Sequence, residues 1–312
     1  MVLVCIPTSL GSWTSSQITF YLVTQVNIHM NIFDLLTNLQ PRQVDGAKRK
    51  RIGCSGDGGY VIMDHENLSN TILYSYGIED NDSFDQHFHN LYGSQVRQYD
   101  FTISPPPKRP HFSFTKQGIS HEKTENCDTL QSHISQNGDD NQRIFLKMDV
   151  EGAEWLTFLH MPENTLRQCN QIALEMHDLS GLGINTMYPS VSLEEKVATL
   201  KKITKYFHCW NVHANNYASM FIVDGYKVPD VMEMTFVNKE LHPGGDLANE
   251  IFPTKHDQAC HARMQDHLLD FWPFYSGKEI IAPKKPFLKQ KFARLKRSLS
   301  TRKWKHSRNK YK

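Results

Sequence analysis

The sequence predicts an α/β fold: a doubly wound, mostly parallel sheet with an antiparallel edge strand. Three observations point there. Short apolar runs bounded by Gly, Pro and acidic residues alternate with amphipathic segments between about residues 50 and 240. Several apolar runs end on Gly, Asp or His, as strands do when their carboxyl ends face a ligand crevice. No internal repeat interrupts the alternation, and strands separated by helices imply crossover connections and parallel pairing.

The elements follow in order. Thr71-Ile72-Leu73-Tyr74-Ser75-Tyr76, closed by Gly77, reads as a buried strand. Ser83-Phe84-Asp85-Gln86 matches a capping box; Phe84, Phe88 and Leu91 follow at helical spacing, and Gly93 ends the helix. Residues 95–100 form the next strand, and Pro105-Pro106-Pro107 must be loop. His111–Ser120 reads as a third strand with Phe112 and Phe114 on one face. Arg143–Val150 reads as a fourth, followed by a helix over 151–159 carrying Trp155, Phe158 and Leu159. Residues 171–177 make a fifth strand. Ser192 and Glu195 cap a helix whose Leu193, Val197, Leu200, Ile203 and Phe207 share one stripe. Ser219–Val223 and Val231–Val237 are expected to pair as a hairpin, and the helical extension that follows is expected over 246–283.

Composition restricts the class. Apolar residues make up 39% and charged residues 22%, as in a globular rather than a disordered chain. The net charge of +2 hides an asymmetry: thirteen of the 35 basic residues lie between Lys284 and Lys312, a stretch without acids. Residues 1–283 therefore carry 22 basic against 33 acidic side chains. In the tail, Leu288, Phe292, Leu295 and Leu299 share a helical stripe among the cations, which suits an anionic membrane surface or nucleic acid; a solvated tail is the plainer reading. No obligate protein partner is evident. The six cysteines are scattered singly without a C-x-x-C pair, so a zinc ribbon or dithiol redox site is not expected. Residues 1–41 contain no Lys or Arg, and the run Ile18–Val23 is too short to span a bilayer, so residues 1–45 read as an N-terminal extension of an intracellular protein.

The strand ends define a candidate site. Gly77 lets backbone approach a ligand closely, and Asp100, 23 residues on, stands near the offset at which an acid binds a ribose hydroxyl. The loop Gly77-Ile78-Glu79-Asp80-Asn81-Asp82-Ser83 lacks G-x-G-x-x-G and concentrates acids where a dinucleotide would place its pyrophosphate. A nucleoside without phosphate and with positive charge fits better. Asp149 ends the fourth strand and Glu151 follows it; Glu154 reads as a solvated or dipole-complementing acid. His177, ending the fifth strand, is the leading general base because an imidazole titrates near neutral pH, with His213 and Asn215 as further acceptor-side groups. Asp149, Glu151 and His177 could hold a divalent metal, but their spacing is not diagnostic and no metal is expected.

Several segments resemble the FkbM-like methyltransferases, in particular the branch that includes methyltransferase-like animal proteins. They are Arg51-Ile52-Gly53 with Gly56-Asp57-Gly58-Gly59-Tyr60-Val61, Tyr74–Ile78, Tyr99-Asp100, Leu146–Trp155, Ile172–His177, His213–Asn216 and Pro229-Asp230-Val231. The most specific is Leu146-Lys147-Met148-Asp149-Val150-Glu151-Gly152-Ala153-Glu154-Trp155. The resemblance spans about residues 50–240. It implies a seven-stranded, Rossmann-like class I methyltransferase domain over 46–245, with S-adenosyl-L-methionine (SAM) as methyl donor and an oxygen of a small molecule or glycan as acceptor. It also implies that Asp57, in its Gly-rich turn, caps the cofactor alongside Gly77, Asp100, Asp149 and Glu151. The loop 77–83 departs from the family's usual glycine turn. A rival reading keeps the fold as a non-catalytic binding module recruited through its basic tail.

Overall fold

The computed structural model describes residues 31–275. Helix α1 (Ile32–Thr37) precedes a hairpin of β1 (Lys48–Ile52) and β2 (Tyr60–Asp64). A 3-10 turn (Glu66–Asn70) leads into β3 (Thr71–Tyr76), α2 (Ser83–Tyr92), β4 (Val96–Tyr99) and β5 (Phe112–Thr115). Short strands β6 (Gly118–Ile119) and β7 (Cys127–Asp128) pair with each other before α3 (Leu130–Asn137). Next come β8 (Arg143–Met148), α4 (Glu154–His160), α5 (Glu163–Gln168), β9 (Cys169–Met176) and α6 (Leu193–Tyr206). The last elements are β10 (Phe207–Ala214), β11 (Met220–Val223), β12 (Tyr226–Pro229) and β13 (Met232–Asn238).

Seven strands form the central sheet in the order β10-β13-β9-β8-β3-β4-β5. The five from β9 to β5 are parallel, and β13 runs antiparallel to both its neighbours. The chain starts at β3, builds outward through β4 and β5, and then returns to lay β8 on the other side of β3. The switch in strand order therefore lies between β3 and β8, where a crevice opens at the carboxyl ends.

Side-chain alternation distributes the core over both faces. Tyr74, Tyr76, Leu146, Met148, Ile172 and Leu174 pack with α1, α3, α4 and α6, while Leu73, Phe145 and Ala173 meet Phe84 and Phe88 of α2 and the β1–β2 hairpin. Ile32, Leu35, Leu36 and Leu39 are buried in the first of these clusters, so part of the expected N-terminal extension packs onto the domain.

Some expectations are corrected. Ser219–Val223 does not pair with Val231–Val237: β11 turns through Asp224-Gly225, both at positive φ, onto β12. An Asp-Gly pair is the natural two-residue hairpin turn, and it frees β13 to enter the sheet between β9 and β10. The antiparallel strand thus sits one place in from the edge. Strand β10, all eight residues buried, escapes the reading because its first residue, Phe207, completes the apolar stripe of α6. The capping box over Ser83–Gln86 does not form. Asn81 Oδ1 accepts the Ser83 N–H at 3.2 Å, and the helix starts behind Asp82, to which Gln86 reaches back at 2.6 Å. The segment 111–120 breaks into β5 and β6. Residues 246–275 hold no helix: Phe252 and Leu269 are buried at non-helical spacing and form a single bridge, and Pro253 and Pro273 supply no N–H. The basic tail lies outside the described residues.

Candidate functional site

A cavity of about 670 Å³ opens at the β3/β8 switch. Its size falls within the range of small-molecule sites. Asp57, Gly77, Asp100, Asp149, Glu151 and His177 all line it, brought together from the β1–β2 turn and the ends of β3, β4, β8 and β9. Tyr99, Phe101 and Ile119 give it an apolar wall, and Ile184, Met187, Tyr188 and Tyr217 form an exposed apolar rim.

At its floor two backbones touch. Gly77 has φ +67°, and a Cβ there would lie 1.6 Å from the Asp149 carbonyl oxygen. Glycine is required by this approach of β3 to β8 rather than by the ligand directly. Lys147 crosses the same floor: its Nζ donates to the Gly77 carbonyl at 2.6 Å and lies 5.8 Å from the Tyr60 ring centroid.

Asp100 is tied into the protein. Its Oδ2 accepts the N–H groups of Ile78 (3.2 Å) and Glu79 (3.0 Å), and its Oδ1 accepts the N–H (2.8 Å) and hydroxyl (2.6 Å) of Thr102. A carboxylate offers about four acceptor positions, so all are taken. Asp100 clasps the β3 and β4 loops, and a ribose hydroxyl reaches it only by displacing the Thr102 hydroxyl.

Eight carboxyl groups line the cavity (Asp57, Glu79, Asp80, Asp85, Asp100, Asp149, Glu151 and Glu175) against two cationic side chains, Lys147 and His177. Crowded, partly buried acids hold their protons more tightly. Burial first, then the neighbouring Asp149, raises Asp57, Glu79 and Glu175, the last well above the carboxylate range. Burial likewise raises Glu151, against the pull of His177, and pushes Asp85 up to about 6. Asn215 donates to Glu175 at 2.5 Å, and the Tyr60 hydroxyl donates to Asp149 at 3.1 Å.

His177 is clasped between carboxylates. Its Nδ1 lies 3.2 Å from Glu154 Oε1 and its Nε2 3.5 Å from Glu151 Oε2, while Trp155 Nε1 donates to its carbonyl at 2.7 Å. Burial alone would lower its proton affinity, but the hydrogen bond and charge of Glu154, with Glu175 and Asp149, outweigh it and raise His177 to about 10. An imidazole already protonated near neutral pH cannot accept a proton, which does not suit the expected general base. Glu154 is also corrected. It is 0% exposed and accepts the Val150 N–H at 3.0 Å, so it is an internal anchor rather than a solvated acid.

His213, in contrast, stays apart from the cavity. Its Nδ1 lies 2.7 Å from Glu233 and its Nε2 3.0 Å from Asp266. Sequence reasoning passed over Lys147, and it took Glu79 and Glu175 only as a loop acid and a strand-end acid, without assigning either a role. Lys147 and Glu175 carried a signal, a charge inside an otherwise apolar strand, which is buried only with a partner or a purpose.

No curated protein matches the chain. Residues 49–195, from β1 to the first turn of α6, match the model of the methyltransferase FkbM domain. That stretch, just under half of the chain, contains the β3/β8 switch, the acidic cavity floor and the His177 clasp, and over it the chain is similar to the FkbM methyltransferases.

Proposed function

We propose that the protein is a SAM-dependent methyltransferase acting on a hydroxyl oxygen of a small molecule or glycan. The observation that carries this reading is the acid-lined cavity at the β3/β8 switch. SAM has no phosphate and carries a sulfonium and an ammonium against one carboxylate, so it complements a cavity with surplus negative charge. A dinucleotide would set its pyrophosphate against Glu79, Asp80 and Asp82, where like charges repel. The apolar wall of Tyr99, Phe101 and Ile119 offers an adenine a surface beside the Asp100 clasp.

When bound, SAM would supply a sulfonium-activated methyl carbon to an acceptor hydroxyl. The chain's own work is positioning and electrostatics. Gly77 and Lys147 set the floor, Asp57 caps it from the β1–β2 turn, and Glu79 and Asp149 face the cationic groups. The rim of Ile184, Met187, Tyr188 and Tyr217 favours an acceptor hydroxyl carried on an apolar or ring-shaped body.

Charge selectivity tests this reading. S-adenosylhomocysteine lacks the sulfonium charge, so Glu79→Gln should weaken SAM by about threefold to tenfold and S-adenosylhomocysteine by less, measured by titration calorimetry. Equal weakening of both ligands, or none, would contradict the electrostatic fit.

A further inference from the structure

We propose that Asp149, Glu151 and His177 form a site for one divalent cation of the Mn2+ or Mg2+ type, open toward the acceptor side of the cavity. The cation site stands on the geometry below; its use in methyl transfer rests on the reading given above.

One ligand atom from each residue lies within 4.8 Å of the others, and His177 Nε2 stands 3.5 Å from Glu151 Oε2. An octahedral ion with ligands at about 2.1 Å places adjacent ligands about 3 Å apart and opposite ones about 4.2 Å apart. Side-chain shifts of under about 1 Å therefore close the set around such an ion. Two carboxylates and one imidazole, with solvent-facing positions left over, suit hard to borderline divalent cations, and the ion would take the place of the Nε2 proton, which leaves to solvent as it binds.

The imidazole is independently aimed at this point. His177 is 4% exposed, its Nδ1 is held by the fully buried Glu154, and its Nε2, in none of the hydrogen bonds among the described residues, lies 3.5 Å from Glu151 Oε2. A carboxylate behind an imidazole whose far nitrogen faces a cluster of oxygens is the arrangement that orients metal-binding histidines. Glu151 is turned toward the same point from a left-handed backbone, φ +59°, its carbonyl fixed by Met187 N at 2.8 Å and Thr186 Oγ1 at 3.0 Å.

Charge points the same way. SAM brings one net positive charge to eight carboxyl groups and two cations, so carboxyl groups remain in excess around Asp149 and Glu151. A divalent ion there would offset that excess and bind the acceptor hydroxyl. The coordinated hydroxyl would lose its proton to water at the open mouth as its lone pair forms the O–C bond. The other close group, His213, Glu233 and Cys260, is equally compact but buried away from the cavity. Both imidazole nitrogens there are engaged in hydrogen bonds, at 2.7 Å to Glu233 and 3.0 Å to Asp266, so neither is left to bind an ion and the group reads as an internal hydrogen-bond network.

The test is a Mn2+ titration of the full-length protein, with free Mn2+ read from its electron paramagnetic resonance signal. One Mn2+ per chain should bind. Glu151→Gln, whose side chain is 40% exposed and whose loss the fold should tolerate, should weaken it at least about tenfold, as should His177→Gln. Glu154→Gln, acting only through the ring, should weaken it by about tenfold. Cys260→Ser should leave it unchanged, and thermal melting checks that each variant is folded. No bound Mn2+, or binding unaltered in folded Glu151→Gln and His177→Gln, overturns the proposal. A parallel SAM titration separates the two readings: a protein that binds SAM but takes up no Mn2+ overturns only the cation site, and one that takes up Mn2+ but not SAM overturns only the methyl-donor reading.

Discussion

Gly77 and Asp149 meet backbone to backbone, and this contact fixes where the crevice lies. In Gly77→Ala the new Cβ would fall 1.6 Å from the Asp149 carbonyl oxygen at φ +67°. Left-handed strain and overpacking together should destabilise the fold by about 3 kcal/mol and displace the end of β8, readable as a lower melting temperature and lost ligand affinity. Asp100→Ala would leave the N–H groups of Ile78, Glu79 and Thr102 without their acceptor. We expect a cost of about 3 kcal/mol and a disordered 77–83 loop; Thr102→Val, which removes only the hydroxyl, should cost about 1 kcal/mol. A stability change from Asp100→Ala no larger than that from Thr102→Val would contradict the clasp. The acids at the strand ends were legible because position alone brings strand ends to one crevice. Glu154 was not, because its burial depends on β9 delivering His177 beside it, a contact 23 residues away in sequence.

Elements differ in how much of themselves is local. The Ser192/Glu195 capping box of α6 forms as read, with Glu195 N donating to Ser192 Oγ at 3.2 Å, because every partner lies within one turn. The placing of β13 depends instead on an Asp-Gly turn upstream and on two strands far apart in sequence, so the hairpin reading failed there. Helix α3 makes a sharper prediction. His133 is fully buried against β3 and β4, its ring 4.2 Å from that of Tyr99 and its nitrogens bonded to Tyr76 and Gln117. Burial lowers its proton affinity to about 4. The unfolded chain, with a histidine near 6.5, then binds more protons than the folded one below that pH. Stability should be intact above about pH 6.5 and fall by roughly 2 kcal/mol as pH drops toward 4. Chemical denaturation across that range should show the slope, and His133→Gln should flatten it; an unchanged slope would remove His133 as its source.

The whole molecule divides by charge. An acidic body of 22 basic and 33 acidic residues precedes a tail with thirteen cations. Among residues 31–275 no helix is long and apolar enough to cross a membrane. Deleting residues 284–312 should leave SAM affinity within about twofold, since the residues that line the cavity lie between 57 and 231. Binding to anionic vesicles should fall if the tail is a surface contact. The α/β class and the parallel sheet were legible from the alternation of elements, whereas the cavity's rim was not, because Ile184, Met187 and Tyr188 lie in a loop that has no periodic signal. The central claim, that the acidic crevice holds a cationic nucleoside, is tested most directly by titrating the full-length protein with SAM and with NAD in parallel. One SAM per chain with micromolar affinity, and NAD binding at least about tenfold weaker, is the predicted result. No SAM binding, or NAD binding as tightly as SAM, would contradict it.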